Sequence, residues 1–480
     1  MDAGAVFKDT AFPAFDQGRW RALAEKALAG ADFEQTLASQ TDDGKRIDPL
    51  YERSSATRPV LRANPAEHGV ITQRIDDPDP VRANAQARDD IAQGATGLSL
   101  VFEGAPNAFG YGLPVAVEAL AKALDGIPLD KTYLRVDAHP QSRVTVDWLV
   151  ALLTKRRADP SKLSLSFGID PAAVFAGTGR LRMSIEALRA SMPQSLAHFF
   201  ALGVPGVLLE ADGRVFHNAG ATEGQELGIM LASSVSHLRM FEEARQALIY
   251  AAPHIGFALS VDQDQFLSMA KVRAMRKLWA KAQEACSIQP SPAIIHAETS
   301  YRMMTVNDPE TNILRTAIAG FAAATAGADS IAILPYTVAH GLADPFARRV
   351  ARNTLLVMEG ESRVDFVADP AAGSGSIEAL TDALCEAAWA EFQKIETEGG
   401  VLKSLADGKI QARITAAREA RAEAYRGGKR TLIGTTLYPL KAERPVVTLP
   451  AERRAVPDEG AASCERLPAI RIDQSIEGRR

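Results

Sequence analysis

The chain has 480 residues, 46% of them hydrophobic and 24% charged, with a formal net charge of −5; this is ordinary globular composition with room for a large core. Acids and bases are mixed throughout and form no basic stripe, which excludes the electrostatic footprint of a nucleic-acid binder. The three cysteines, Cys286, Cys385 and Cys464, are far apart and odd in number, which excludes a disulfide framework or CxxC metal spacing and suits a reducing compartment.

The N-terminus carries Asp2, Asp9 and Asp16 and no apolar h-region. That pattern argues against a secretory signal and against a mitochondrial presequence. The most apolar stretch, Ala317–Ala326, is too short to span a bilayer, so the expected location is cytoplasmic. Residues 1–65 read as an arm that lies on a partner or on the chain's own fold. Within it Trp20–Leu28 is an amphipathic helix with Asp16 as its N-cap, followed by a turn-rich segment around TDDGKRIDPLY.

From about residue 94, short β-rich runs alternate with helical stretches. The runs are Thr96–Phe102, Thr132–Asp137, Lys162–Phe167, Val204–Glu210, Ile255–Val261, Pro292–Glu298, Asp329–Leu334 and Arg363–Val367. Helical segments such as Val115–Leu124, Arg143–Lys155, Gln225–Ala244 and Phe266–Glu284 lie between them. Such alternation indicates βα units and a parallel sheet. Eight strands at this spacing predict an α/β fold, a (β/α)8 TIM barrel over residues 66–425, in preference to a doubly wound sheet. Two charged helices, Ile377–Lys394 and Ile410–Tyr425, follow. Residues 426–480 turn rich in Pro, Arg and Glu and read as an extended tail, not a packed domain.

The stretch HAETSYRMMTVNDPETNILRT, from His296 to Thr316, crowds polar groups where a strand ends and a helix opens, the usual place for a catalytic site in such a barrel. His296 and Glu298 form the H-x-E of zinc deaminases, but the P-C-x-x-C segment that chemistry also needs is absent. Asp137 and His139 echo a cobalamin-ligating D-x-H, yet Ser142 stands where glycine belongs and the segment sits in a barrel strand. Gly373-Ser-Gly375 before a helix reads first as turn chemistry and only second as an anion site. His68, His198, His217, His237, His254 and His340 are scattered and read as surface or satisfied core groups.

Several ordered segments resemble the adenosylcobalamin-dependent methylmalonyl-CoA mutase family, on the side of its small (beta) subunits. They are Trp20–Tyr51, Leu124–Lys131, Ala219–Gly228 (AGATEGQELG), Ala270–Trp279 (AKVRAMRKLW), His296–Ser300 (HAETS), Phe346–Thr354 and Asp369–Ser374. The resemblance covers nearly the whole chain. It implies a barrel, an acyl-CoA substrate threaded through the barrel axis, and cobalamin held between the barrel and a C-terminal domain. That cofactor carries the hard chemistry.

The departures from the family decide what is expected of this chain. No segment corresponding to the cobalamin domain is present, and Glu67–Ile75, where catalytic chains carry a tyrosine, has none. Aligned on Ala219-Gly220-Ala221, the catalytic histidine falls at Val215, and His217 is out of register by two. A CoA-binding arginine before the fifth predicted strand falls on His254. The glutamate near the cofactor after the seventh falls on Val338. The resemblance therefore implies a non-catalytic small subunit of a heterodimer, with adenosylcobalamin and the methylmalonyl-CoA/succinyl-CoA site on a larger partner chain. No catalytic, cofactor-binding or metal residues are expected here; His296, Glu298, Asn307 and Arg352 are the vestigial strand-end candidates. The alternative is a self-sufficient acyl-CoA-acting barrel with cobalamin supplied in trans and those four residues as its lining. A third reading is a transient assembly partner.

Overall fold

Parallel strands require long crossovers, and the helical stretches between the β-rich runs supply them. The structure, a computed structural model, describes residues 16–477 apart from 56, 202 and 204. Eight parallel strands close into a barrel in sequence order: β1 (Val70–Ile75), β2 (Gly97–Leu100), β3 (Tyr133–Val136), β4 (Leu165–Ile169), β5 (Val207–Asp212), β6 (Ile255–Val261), β7 (Ile294–Thr299) and β8 (Ser330–Ala332). β8 returns to β1 with Ser330 opposite Val70 and Ile331 opposite Ile71, closing the ring. The expected (β/α)8 architecture is the architecture observed.

Two strand assignments require correction. Val70–Ile75 is a strand, while Arg363–Val367 is a turn region with Phe366 and Val367 exposed. The first run was hidden because Thr72, Gln73 and Arg74 make it look polar; the last has β-forming residues without a sheet to join. Every ordinal taken from the sequence therefore moves up by one: Ala219–Gly228 follows β5, His254 precedes β6 and Val338 follows β8. Val204, at the head of one predicted run, lies outside the described residues.

The outer layer comprises α1 (Pro80–Ala92), α2 (Val117–Ala123), α3 (Ser142–Lys155), α4 (Ile185–Ala201), α5 (Glu223–Glu243), α6 (Gln265–Ala285), α7 (Thr311–Thr325) and α8 (Pro345–Gly360). Their starts are written in the sequence. Asp79 caps α1 ahead of Pro80, accepting from the N–H groups of Val81 and Arg82, and Asp344 does the same for α8. Thr222 and Gln225 form a reciprocal capping box on α5. Asp79→Ala is expected to cost about 1 kcal/mol by chemical denaturation, since two orphan donors then lose their acceptor.

Outward strand residues such as Leu98, Phe167, Leu209, Phe257 and Ile295 are fully or nearly fully buried under these helices and form the main core. Gly168 sits in β4 at φ +56°, where a Cβ would lie 1.9 Å from the Val136 carbonyl oxygen; the β4–β5 register is irregular between Ser166 and Ile169. Only glycine fits this kink. After the barrel come α9 (Gly375–Thr397) and α10 (Lys409–Arg426). α9 packs along α5 and α6, and buried Arg273 of α6 pairs with Asp369 and Glu378 at its N-terminal approach.

The chain divides into two compact units, Met1–Glu52 and Arg53–Arg480. In the first, helix Gln17–Ala27 begins at Asp16, which accepts from the Gly18 N–H as its cap. Trp20 meets Phe33 edge-on at 6.1 Å, and a short hairpin pairs Ser39–Gln40 with Arg46–Ile47.

Candidate functional site

Inward positions on the barrel strands carry charge instead of aliphatic side chains. Arg74 (β1) donates to Glu298 (β7) at 2.8 Å, reaching past the intervening β8. Arg135 (β3) is ion-paired with Glu210 (β5) and with Asp137. Arg214, just beyond β5, contacts Asp212 at 2.7 Å, Asp137 at 3.2 Å and Glu298 at 3.3 Å. Three guanidinium groups and four carboxylates thus interlock across the axis, and all seven side chains are buried. Burial alone would lower the pKa of Arg214, but Asp212 and Glu298 outweigh it and hold the pKa above its ordinary value. Asn107, in the loop after β2, sits over the plug and donates to Asp212 at 3.2 Å, while its carbonyl accepts from Arg74. Phe109 and Tyr301 stack above it at 4.2 Å, with the Arg74 guanidinium 5.2 Å from the Phe109 ring.

Of the four strand-end candidates, two belong to this axis. Glu298 is an anchor of the plug. His296 is hydrogen-bonded through Nδ1 to Ser330 Oγ at 2.8 Å; burial, reinforced by Arg135, Arg214 and Arg74, drives its pKa well below the ordinary value and keeps it neutral. Asn307 and Arg352 do not join them. Asn307 is half-buried in the loop before α7. Arg352 lies on α8 and clamps Asp90 of α1 at 2.7 Å, a helix-to-helix bond that strand-end reasoning could not distinguish from a site residue.

The other motif residues are held by contacts within the chain. His217 Nε2 lies 2.8 Å from Ser300 Oγ and its Nδ1 lies 2.9 Å from Glu226, a serine–histidine–glutamate sequence of contacts. Lys271 closes it, donating to Glu226 at 2.7 Å. Ser300, His217 and Glu226 are all fully buried, so no acyl group reaches the serine oxygen and the relay ties β7 to α5 and α6. Burial lifts the Glu226 pKa to about 7 against the pull of Lys271. Val215 is buried on the helix Arg214–Ala219, and Val338 is half-buried in the loop after β8. His254 bonds the Gly206 carbonyl at the opposite end of the barrel. His139 bonds the Glu103 carbonyl through Nε2. At the Gly373 turn, the Gly373 N–H is already taken by Glu378. Among the described residues no three His, Cys, Asp or Glu side chains are grouped to hold a metal, and no helix is long and apolar enough to cross a membrane.

The tail is extended, but it is ordered. Its path follows the rim at the C-terminal ends of the strands. The Ile433 carbonyl accepts from Arg315 of α7, Thr448–Leu449 pairs with Leu342–Ala343 after β8, and the Pro450 carbonyl meets Arg82 of α1. Arg454 N–H then donates to Gly110, Ala461 to Leu181, Leu467 to Ala176, Ile470 to Asn218 and Ile472 to Arg302. These partners lie after β2, β4, β5 and β7 in turn, so the strap makes a full circuit. Its two ends meet where Leu432, Ile472 and Ile476 pack with Tyr425.

A barrel with a salt-bridged axis and a strapped rim defines a βα-barrel protein. The family is fixed by comparison. Residues 67–478 match the family model described as methylmalonyl-CoA mutase, and this chain belongs to that family. It is 33% identical to the methylmalonyl-CoA mutase small subunit of Streptomyces virginiae over 97% of this chain and 76% of that protein. It is 37% identical to the probable methylmalonyl-CoA mutase small subunit of Mycobacterium tuberculosis over 68% of this chain and 53% of that one. The methylmalonyl-CoA mutase of Escherichia coli is 26% identical over 95% of this chain and 69% of its own length.

Proposed function

We propose that this chain is the small, non-catalytic subunit of a heterodimeric methylmalonyl-CoA mutase, supporting the isomerisation of methylmalonyl-CoA and succinyl-CoA on a larger, cobalamin-binding chain. The observation that carries the reading is the plugged axis. A pantetheine arm drawn through the barrel would have to displace ion pairs such as Arg74–Glu298 and Arg214–Asp212, leaving buried charges without partners. The residues do not fit adenosylcobalamin either. The face where the family resemblance would seat it is ringed by the strap, packed so closely that a Cβ on Gly104 would meet Pro457 at 2.8 Å. Val215 and Val338 offer no proton donor or charge there.

The role left to such a chain is to bury surface. Obligate interfaces commonly cover roughly 2,000 Å² or more, and a partner's folding then depends on them. The expected result is that this chain, tagged and isolated from its native cells, brings down a larger mutase-family chain in stoichiometric amount. The larger chain purified alone then loses stability and most of its mutase activity. Full activity of the larger chain alone, with unchanged stability, would refute the proposal. Calorimetric titration of the isolated small chain with succinyl-CoA is expected to show no saturable binding; saturable binding would instead favour the self-sufficient barrel.

A further inference from the structure

One gap in the outer layer lies outside the plugged axis and borders the strap on one side. Between α3 and α4 lies a cavity of about 480 Å³, within the roughly 300–1,000 Å³ usual for small-molecule sites. Its floor is apolar: Ile169, Val174, Leu181, Leu188 and Met192 are all buried side chains that line it. It opens at His139, Pro140, Gln141 and Arg182 into a second, more polar cleft of about 600 Å³. That cleft runs out to the strap at Arg454 and Pro457.

The charge at the junction is unbalanced. Arg180 in the outer cleft pairs with Asp458 at 2.9 Å, and Arg454 with Glu103 at 3.5 Å. Arg182, at the mouth of the inner cavity, and Arg143, on its wall, have no carboxylate within 4.0 Å among the described residues; Arg143 donates only to Ser191 Oγ, at 3.0 Å. The acids that line the inner cavity are Asp147, exposed on α3, and Asp170. Asp170 spends its oxygens on the N–H groups of Ala172 and Asp212 and on Ser233, inside the barrel wall. An apolar chamber with one guanidinium group at its mouth and another on its wall, neither held by a carboxylate, is shaped for an amphiphilic anion.

We propose that the α3–α4 cavity binds a small amphiphilic anion, its apolar body on the Ile169–Met192 floor and its carboxylate or phosphate head between Arg143 and Arg182. The site is separate from the barrel axis and does not depend on the chain's role beside a catalytic partner. Octanoate and octyl phosphate present the same body with the two heads, and octylammonium presents the opposite charge.

The test is calorimetric titration of the full chain with each of the three. Saturable one-to-one binding of octanoate, octyl phosphate or both, with Kd of roughly 0.1–1 mM, is expected. Arg182→Glu is expected to weaken it about tenfold or more, and so is Val144→Trp, which fills the chamber from its wall. Arg182 is exposed and Val144 is 40% exposed, so both variants should keep the parent's thermal midpoint. Failure of both anions to saturate by about 10 mM, octylammonium binding as tightly as octanoate, or parental affinity in both variants would overturn the proposal.

Discussion

Replacing Arg214 with methionine is expected to destabilise the protein by roughly 3–5 kcal/mol, the cost of removing one partner from a buried ionic network. Arg214 is fully buried and touches three carboxylates on three strand ends. Two of them keep a second arginine when it goes: Asp137 retains Arg135, and Glu298 retains Arg74. Asp212 does not. It would be left with the Asn107 amide at 3.2 Å and the residue 214 backbone N–H as donors, with no cation beside it in the barrel interior. Asp212→Asn in the Arg214→Met background should therefore recover a large part of the loss, more than independent sites would allow. The readout is the guanidinium midpoint at unchanged slope. A loss below about 1 kcal/mol would mean that water or movement reaches the axis and that the plug is not closed.

The plug also shows where sequence reading succeeds and where it stops. The alternation of β-rich runs and helices made the barrel legible, and Asp16 marked the start of the first helix, because those signals are local; the Asp79 and Thr222 caps emerge only with the structure. Arg135 and Glu210 stand as charges inside two of the predicted runs, but a charged alternate position in a strand normally faces water. Closure of the sheet sends it into the axis instead, and closure is a long-range fact. The same effect concealed β1, whose inner residues are Thr72 and Arg74, and favoured Arg363–Val367, whose apolar residues meet no sheet. The strap reads in the sequence as an extended tail; its order comes from backbone N–H groups at Arg454, Ala461, Leu467 and Ile470 bonding the rim, and its last residues, Ile472–Glu477, turn helical. No composition reports such bonds. His296 and Glu298 were found because they end a strand beside a family motif. Arg352 was misplaced because its partner, Asp90, lies more than 260 residues away.

His237→Gln is expected to tilt the stability profile against pH, and the tilt exposes two opposing sets of buried groups. Burial lowers the His237 pKa to about 4; its Nε2 bonds the Glu210 carbonyl at 3.0 Å, and its Nδ1 has no hydrogen-bond partner to receive a proton's bond. Its unfolded value is near 6.5, so the unfolded chain takes up the proton first. The stability this group contributes is present above pH 6.5 and is lost as pH falls towards 4, about 2 kcal/mol of it by pH 5. His139, lowered by burial to about 4, acts in the same direction. Asp170, 3.9 Å from His237, acts in the other: burial raises its pKa to about 7, so its contribution is present at low pH and lost as pH rises from 4 through 7. Glu226 behaves as Asp170 does. The parent protein should therefore show a shallow profile between pH 5 and 7, in which the two sets offset each other. With His237 removed, one of the offsetting terms is gone. Relative to the parent, the variant should gain about 2 kcal/mol on passing from pH 7.5 to pH 5, read as the shift in denaturation midpoint at each pH. Parallel profiles for variant and parent would mean that His237 takes up a proton as readily in the folded barrel as in the unfolded chain, and the buried neutral imidazole would have to be abandoned.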